Sequence, residues 1–198
     1  VFSAMLAVMQ DAVALAVIAA GGGFLAPILA STGAGSHVML FSYYLILNLG
    51  IAAIAWFKAW RPLNLTGFIF TFAIGLMWGV ERYRPEHFST TEPFLVAFWA
   101  IYVAIAILVA RETPTKTQRY VDGTMVFGVP LVAFALQAGL MRDTEYGLAL
   151  SSLGAAGYYL TLAWWLLGTG RESWKLLAQA FVALGVVFVT LAIPLALD

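Results

Sequence analysis

Cysteine does not occur in this 198-residue chain. Disulfides, thiolate nucleophiles and cysteine-held iron–sulfur clusters are therefore excluded. Charge is scarce: Asp, Glu, Lys and Arg make up 10% of the residues, against roughly 25% in an average soluble domain. Acidic and basic residues balance to a formal net charge of zero, so no basic field attracts nucleic acid and none is expected as a partner. The two histidines, His37 and His87, lie far apart without metal-ligand spacing, and neither a metal nor a cofactor is expected from them. The glycine-rich stretch "GGGFLAP" has no following Lys-Ser/Thr and no preceding strand, which excludes a phosphate-binding loop. Neither Ser-x-x-Lys nor HExxH occurs.

What fills the chain is apolar. Hydrophobic residues make up 63%, more than a soluble fold of this size can hide, so most of the surface must face lipid. A membrane helix needs about 20 mostly apolar residues. Seven such spans are expected: Asp11–Ala30, His37–Trp56, Leu63–Val80, Pro93–Ala110, Thr124–Met141, Tyr146–Leu167 and Trp174–Leu197. The runs are solid rather than alternating, which argues for helices and against a barrel. The expected fold is an all-α polytopic transmembrane bundle, one region over residues 1–198. Short connections make neighbours antiparallel. Val1–Met9 reads as the tail of an earlier span and Gln10–Asp11 as a turn, so the chain reads as a fragment of a longer protein. If Val1–Ala20 were instead the first span, Asp11 would fall near mid-bilayer and the topology would invert. The turn reading is preferred because Asp11–Ala30 has the right length and a reasonable helix start.

Basic residues set the orientation. The even-numbered loops carry Lys58, Arg61, Arg111, Lys116, Arg119, Arg171 and Lys175; the odd-numbered ones carry only Arg82, Arg84 and Arg142. The even loops are expected in the cytoplasm, with "STGAGSH", "ERYRPEHFSTTE" and "RDTE" outside. A faint repeat accompanies this pattern: Tyr44, Tyr102 and Tyr159 each sit in a span leading into a basic loop, as tandem helix hairpins would place them. In "TTEPF" and "DTEYG" the Thr-Glu pairs are expected to open helices, as a cap and an acidic first turn.

The costliest local feature is Gly21, Gly22, Gly23 and Pro27 inside the first span. Glycine costs roughly 1 kcal/mol and proline roughly 3 in a helix interior. Pro27 cannot donate to the carbonyl of Gly23. The helix is expected to kink or break there, with the glycines facing another helix so closely that no bulky side chain fits at Gly22 or Gly23. Broken helices mark binding sites in transporters, whereas glycines also simply permit close packing. Gly75 and Gly79 have small-xxx-small spacing and are expected at a packing face, with Gly154–Gly157 a weaker instance. Asn48 and Gln137 are expected to hydrogen-bond between helices. The third loop gathers Glu81, Arg82, Arg84, Glu86, His87 and Glu92. Its arginines suit phosphate or carboxylate, and Glu86 with His87 suits proton transfer; short wet loops also hold charges merely for solvation. No ionisable group lies clearly at mid-bilayer, which argues against ion-coupled transport.

Several phrases resemble one bacterial family: "GGFLAPILASTGAGSHVMLFSYYLILNLGI", "FKAWRPLNLTGF", "ERYRPEHFSTTEPFL", "VDGTMVFGVPLVAFALQ" and "LGVVFVTLAIPLALD". The chain is similar to domain of unknown function 2339. The resemblance implies a long multi-pass protein of the Gram-negative inner membrane, of which this is an internal slice. It implies no activity and no catalytic residue. Three functions stand open. First comes transport or handling of an anionic or amphiphilic envelope substrate, with Gly21, Gly22, Gly23, Pro27, Arg82, Arg84 and His87 as binding residues. Next is a structural scaffold that packs other membrane or periplasmic subunits. Third is an outer-leaflet enzyme using Glu81, Glu86, His87 or His37. Expected partners are membrane lipid, the remaining helices of the parent protein, and a membrane or periplasmic protein.

Overall fold

A computed structural model of the chain describes residues 12–30, 35–112, 123–142 and 144–197. Within them lie seven α-helices and no strand. They are α1 (Val13–Leu29), α2 (His37–Phe57), α3 (Arg61–Arg82), α4 (Phe88–Glu112), α5 (Gly123–Leu140), α6 (Gly147–Gly168) and α7 (Glu172–Leu195). A 3₁₀ turn, Pro85–His87, leads into α4. All seven expected spans are helices. Five of them, α2 to α5 and α7, are long and apolar enough to cross a membrane, and α1 is a shorter apolar helix. Helix α6 is as long as its neighbours, but Ser151, Ser152, Tyr158, Tyr159, Trp164 and Trp165 make it less apolar. Outward faces carry large apolar side chains such as Ile18, Met39, Ile46, Leu131, Leu150 and Trp164, as lipid-facing surfaces do. The expected turn at Gln10–Asp11 lies outside the described residues, as do Lys116 and Arg119.

Local chemistry sets the helix ends. The Ser36 side chain accepts from the Val38 N–H and caps α2. Pro62 sits in the first turn of α3, where its missing N–H costs nothing. At the far end, Arg84 is extended because Pro85 follows it. Helix α6 closes on Gly170, whose φ of 68° is left-handed. The two Thr-Glu starts are corrected. Helix α4 begins at Phe88, so Pro93 and Thr91 lie inside it. Helix α6 begins at Gly147 with no side-chain cap, and Thr144 Oγ1 instead donates to the Met141 carbonyl.

The chain divides into two compact units, Val1–Val109 and Ala110–Asp198. In the first, α1 packs mainly on α3 and also touches α2, and α2 packs on α3. Its core is aromatic: Phe24, Phe41, Tyr44, Phe68, Phe72, Phe98 and Tyr102 are buried. In the second, α6 and α7 pair along their whole length. Ala149, Ser152, Ala156, Tyr159, Ala163 and Leu166 line α6 at alternating three- and four-residue steps, and Trp174, Leu177, Phe181, Leu184, Phe188 and Ala192 answer on α7. That is the seam of a close antiparallel coil. The three spaced tyrosines all end in cores: Tyr44, Tyr102 and Tyr159 are the largest fully buried side chains.

Candidate functional site

The glycine–proline stretch is helical throughout. The expected interruption does not occur, and its cause is visible one helix away. Tyr43 Oη donates to the Gly23 carbonyl at 2.9 Å, and Tyr44 Oη donates to the Phe24 carbonyl at 3.0 Å. The bond that Pro27 denies to Gly23 is thus replaced by a hydroxyl of α2. Phe24 is fully buried, stacked on Phe70 and tilted against Tyr44. The expected close approach of the glycines is corrected too. Among the described residues a Cβ at Gly22 would meet nothing within 4 Å, one at Gly21 only Phe70 at 3.9 Å, and one at Gly23 ordinary contacts with Leu47 from 3.5 Å. Glycine is tolerated here because α1 is held from outside, not because a neighbour fills its space.

A Cβ at Gly75, Gly79, Gly154 or Gly157 likewise meets no neighbour within 4 Å among the described residues. The glycine that a neighbour does crowd in the first unit is Gly67. A Cβ there would stand 2.5 Å from Ile51 Cδ1 and 2.6 Å from Tyr102 Oη. It makes room for a buried polar node. Asn48 Nδ2 donates to Thr71 Oγ1 at 2.8 Å and to the Tyr44 carbonyl at 2.8 Å, and Tyr102 Oη donates to Asn48 Oδ1. Three helices, α2, α3 and α4, meet in these bonds. In the second unit Gln137 Nε2 donates to Ser151 Oγ at 3.2 Å, joining α5 to α6.

The polar loop expected on the outside forms a corner at one end of the first unit. The start of α2, the end of α3 and the start of α4 converge there. His37 and His87, the only histidines of the chain, have ring centroids 4.8 Å apart. Trp78 lies 5.0 Å from His37 and 5.9 Å from His87, and Phe41 packs on both Trp78 and His37. Thr90 ties the corner together. Its Oγ1 donates to the His87 carbonyl at 3.0 Å and lies 2.8 Å from His37 Nε2. A hydroxyl has one proton, and this one is committed to the carbonyl. His37 Nε2 is therefore the donor, and in neutral His37 the lone pair is on Nδ1. On His87, Nε2 stands 3.9 Å from the Glu86 carboxylate, while Nδ1 is buried without a hydrogen-bond partner among the described residues. Such an orphan costs about 1–3 kcal/mol. Arg84 lies 3.9 Å from Glu86 and is exposed, as is Arg82. No group of three or more His, Cys, Asp or Glu gathers to hold a metal among the described residues.

The comparisons with known proteins bear on this arrangement at family level. Residues 1–198, the whole chain, match the family described as "Predicted membrane protein (DUF2339)". The chain belongs to that family. No curated protein and no solved structure matches it. Family membership and the apolar helices together make this a membrane protein with several candidate spans.

Two features of the site escaped the sequence reading. The tyrosine pair was visible by depth. Gly23 lies six residues before the end of α1 and Tyr43 six after the start of α2, so an antiparallel hairpin sets them level. The histidine pair was visible by topology, since the ends of α2, α3 and α4 that carry these residues share one side of an alternating bundle.

Proposed function

We propose that this chain is a non-catalytic scaffold segment of an inner-membrane, multi-pass protein, whose helices pack the other helices of the parent protein and its membrane or periplasmic partners. The observation that carries this reading is the double tyrosine bond to Gly23 and Phe24. A transport site at a discontinuous helix needs backbone groups free for substrate. Here those groups are held by the next helix, and the motive for placing a substrate at Gly21–Pro27 goes with them. The buried Asn48 node supports the same reading, because its polar atoms serve one another.

The test is the double variant Tyr43→Phe/Tyr44→Phe, which removes two hydroxyls and keeps both rings. A scaffold loses thermal stability in detergent and co-purifying subunits, with its bound lipid unchanged. A stable, fully assembled variant that loses bound lipid, or causes an envelope-lipid defect in cells, would restore the transport and lipid-handling reading. Orientation rests on the seven-to-three division of basic residues. Cysteines placed singly at Lys58 and Lys175 should be shielded from a periplasmic reagent, and one at Arg142 labelled by it. The reverse pattern would invert the topology.

A further inference from the structure

We propose that His37 and His87 form a two-imidazole site for a borderline-soft divalent cation of the zinc class, with water completing its shell. The proposal does not depend on the scaffold reading. Its first support is spacing. With a zinc–nitrogen bond of about 2.0–2.1 Å and a ring centroid about 1.1 Å behind its nitrogen, two imidazoles on one tetrahedral ion hold their centroids roughly 5 Å apart. His37 and His87 stand at 4.8 Å.

The second support is the state of the four nitrogens. Metal-bound histidines hand their other N–H to a hydroxyl, carbonyl or carboxylate, which fixes the tautomer and the ring. His37 Nε2 donates to Thr90, whose own proton is spent on the His87 carbonyl. His87 Nε2 faces the Glu86 carboxylate at 3.9 Å, which favours a proton on that nitrogen. Both rings are thereby left with a lone pair on Nδ1, and the one on His87 is buried with nothing among the described residues to receive it. A buried, unpartnered imidazole nitrogen beside a second imidazole is a place for a Lewis acid. Imidazole selects zinc, copper or nickel over magnesium or calcium. Glu86 supplies negative charge next to the pair, and Trp78 closes one side. With two protein ligands the ion is exchangeable, in contrast to a structural four-ligand site.

The experiment uses the full-length protein, purified in detergent through a tag without histidine. Zn²⁺ is titrated by calorimetry, with Mg²⁺ as comparison, and Cu²⁺ serves as a paramagnetic probe. The expected result is a Zn²⁺ equivalent per chain that His37→Phe and His87→Phe each remove, with no heat from Mg²⁺. Thr90→Val, which keeps both rings but frees His37, should weaken Zn²⁺ about tenfold to a hundredfold. In the unsubstituted protein, bound Cu²⁺ should show hyperfine coupling to two nitrogens and be displaced by Zn²⁺. Equal Zn²⁺ stoichiometry in the unsubstituted protein and both histidine variants overturns the proposal. So does a Cu²⁺ spectrum without two nitrogen ligands, a result that stands even where a variant fails to fold.

Discussion

The two units solve one problem with different materials. In lipid, no hydrophobic force drives helices together, so packing and hydrogen bonds must do it. The first unit uses rings and directed bonds. Its helices stand off one another around Phe24, Phe41, Phe72 and Tyr102, and they are pinned at Tyr43, Tyr44 and Asn48. The α6–α7 pair uses small residues. Ala149, Ser152, Ala156 and Ala163 let the two backbones approach, and Ser152 Oγ reaches across the seam to donate to the Phe188 carbonyl at 2.7 Å. Directed bonds specify a unique arrangement but leave orphans when one member goes. Close packing spreads the same task over many weak contacts. The first unit should therefore be brittle to single substitutions and the second tolerant.

The hardest test is Asn48→Ala. It strips Tyr102 and Thr71 of a shared partner in a closed interior and should destabilise the protein by about 2–4 kcal/mol, the sum of a small cavity and the lost bonds to Asn48. Unfolding in mixed micelles measures it, and a loss under about 0.5 kcal/mol would remove the claim of brittleness. Next is Gly67→Ala. The added methyl meets Ile51 and the pinned Tyr102 hydroxyl, and overpacking of this kind costs about 1–3 kcal/mol. The matched change in the second unit, Gly185→Ala, meets Leu160 at 2.6–2.7 Å. Leu160 is 38% exposed and has room to swing outward, so about 1 kcal/mol or less is expected. A larger loss at position 185 than at 67 would reverse the comparison. Ser152→Ala should cost only about 0.6 kcal/mol, the average for such bonds between membrane helices. Smallest of all is Gly22→Leu, within about 0.5 kcal/mol, because the position opens on empty space among the described residues.

The helices were legible because lipid imposes length and apolarity on every span, a constraint strong enough to place even α6, whose tyrosines and tryptophans dilute its hydropathy. Which face of each helix turns inward was much less legible. Gly75 and Gly79 have the spacing of a packing motif and meet nothing among the described residues, whereas Gly67 and Gly185, each without a glycine partner, lie against neighbours. Spacing within one helix does not say where the next helix runs. The α6 seam was readable in principle, since its buried positions recur in heptad register. The histidine corner had no local signal, because its members come from separate helices and meet only through the order in which the chain crosses the membrane.

The tyrosine pair also bears on biogenesis. Helix α1 has 17 residues, about 25 Å of rise against a hydrocarbon core of about 30 Å. Alone in the bilayer it would also carry a Gly23 carbonyl with no donor, and hydrocarbon offers none. The second shortfall ends when Tyr43 arrives at the same depth. Helix α1 is thus incomplete until α2 has been synthesised. The translocon has reason to release α1 and α2 into lipid as a hairpin rather than one after the other.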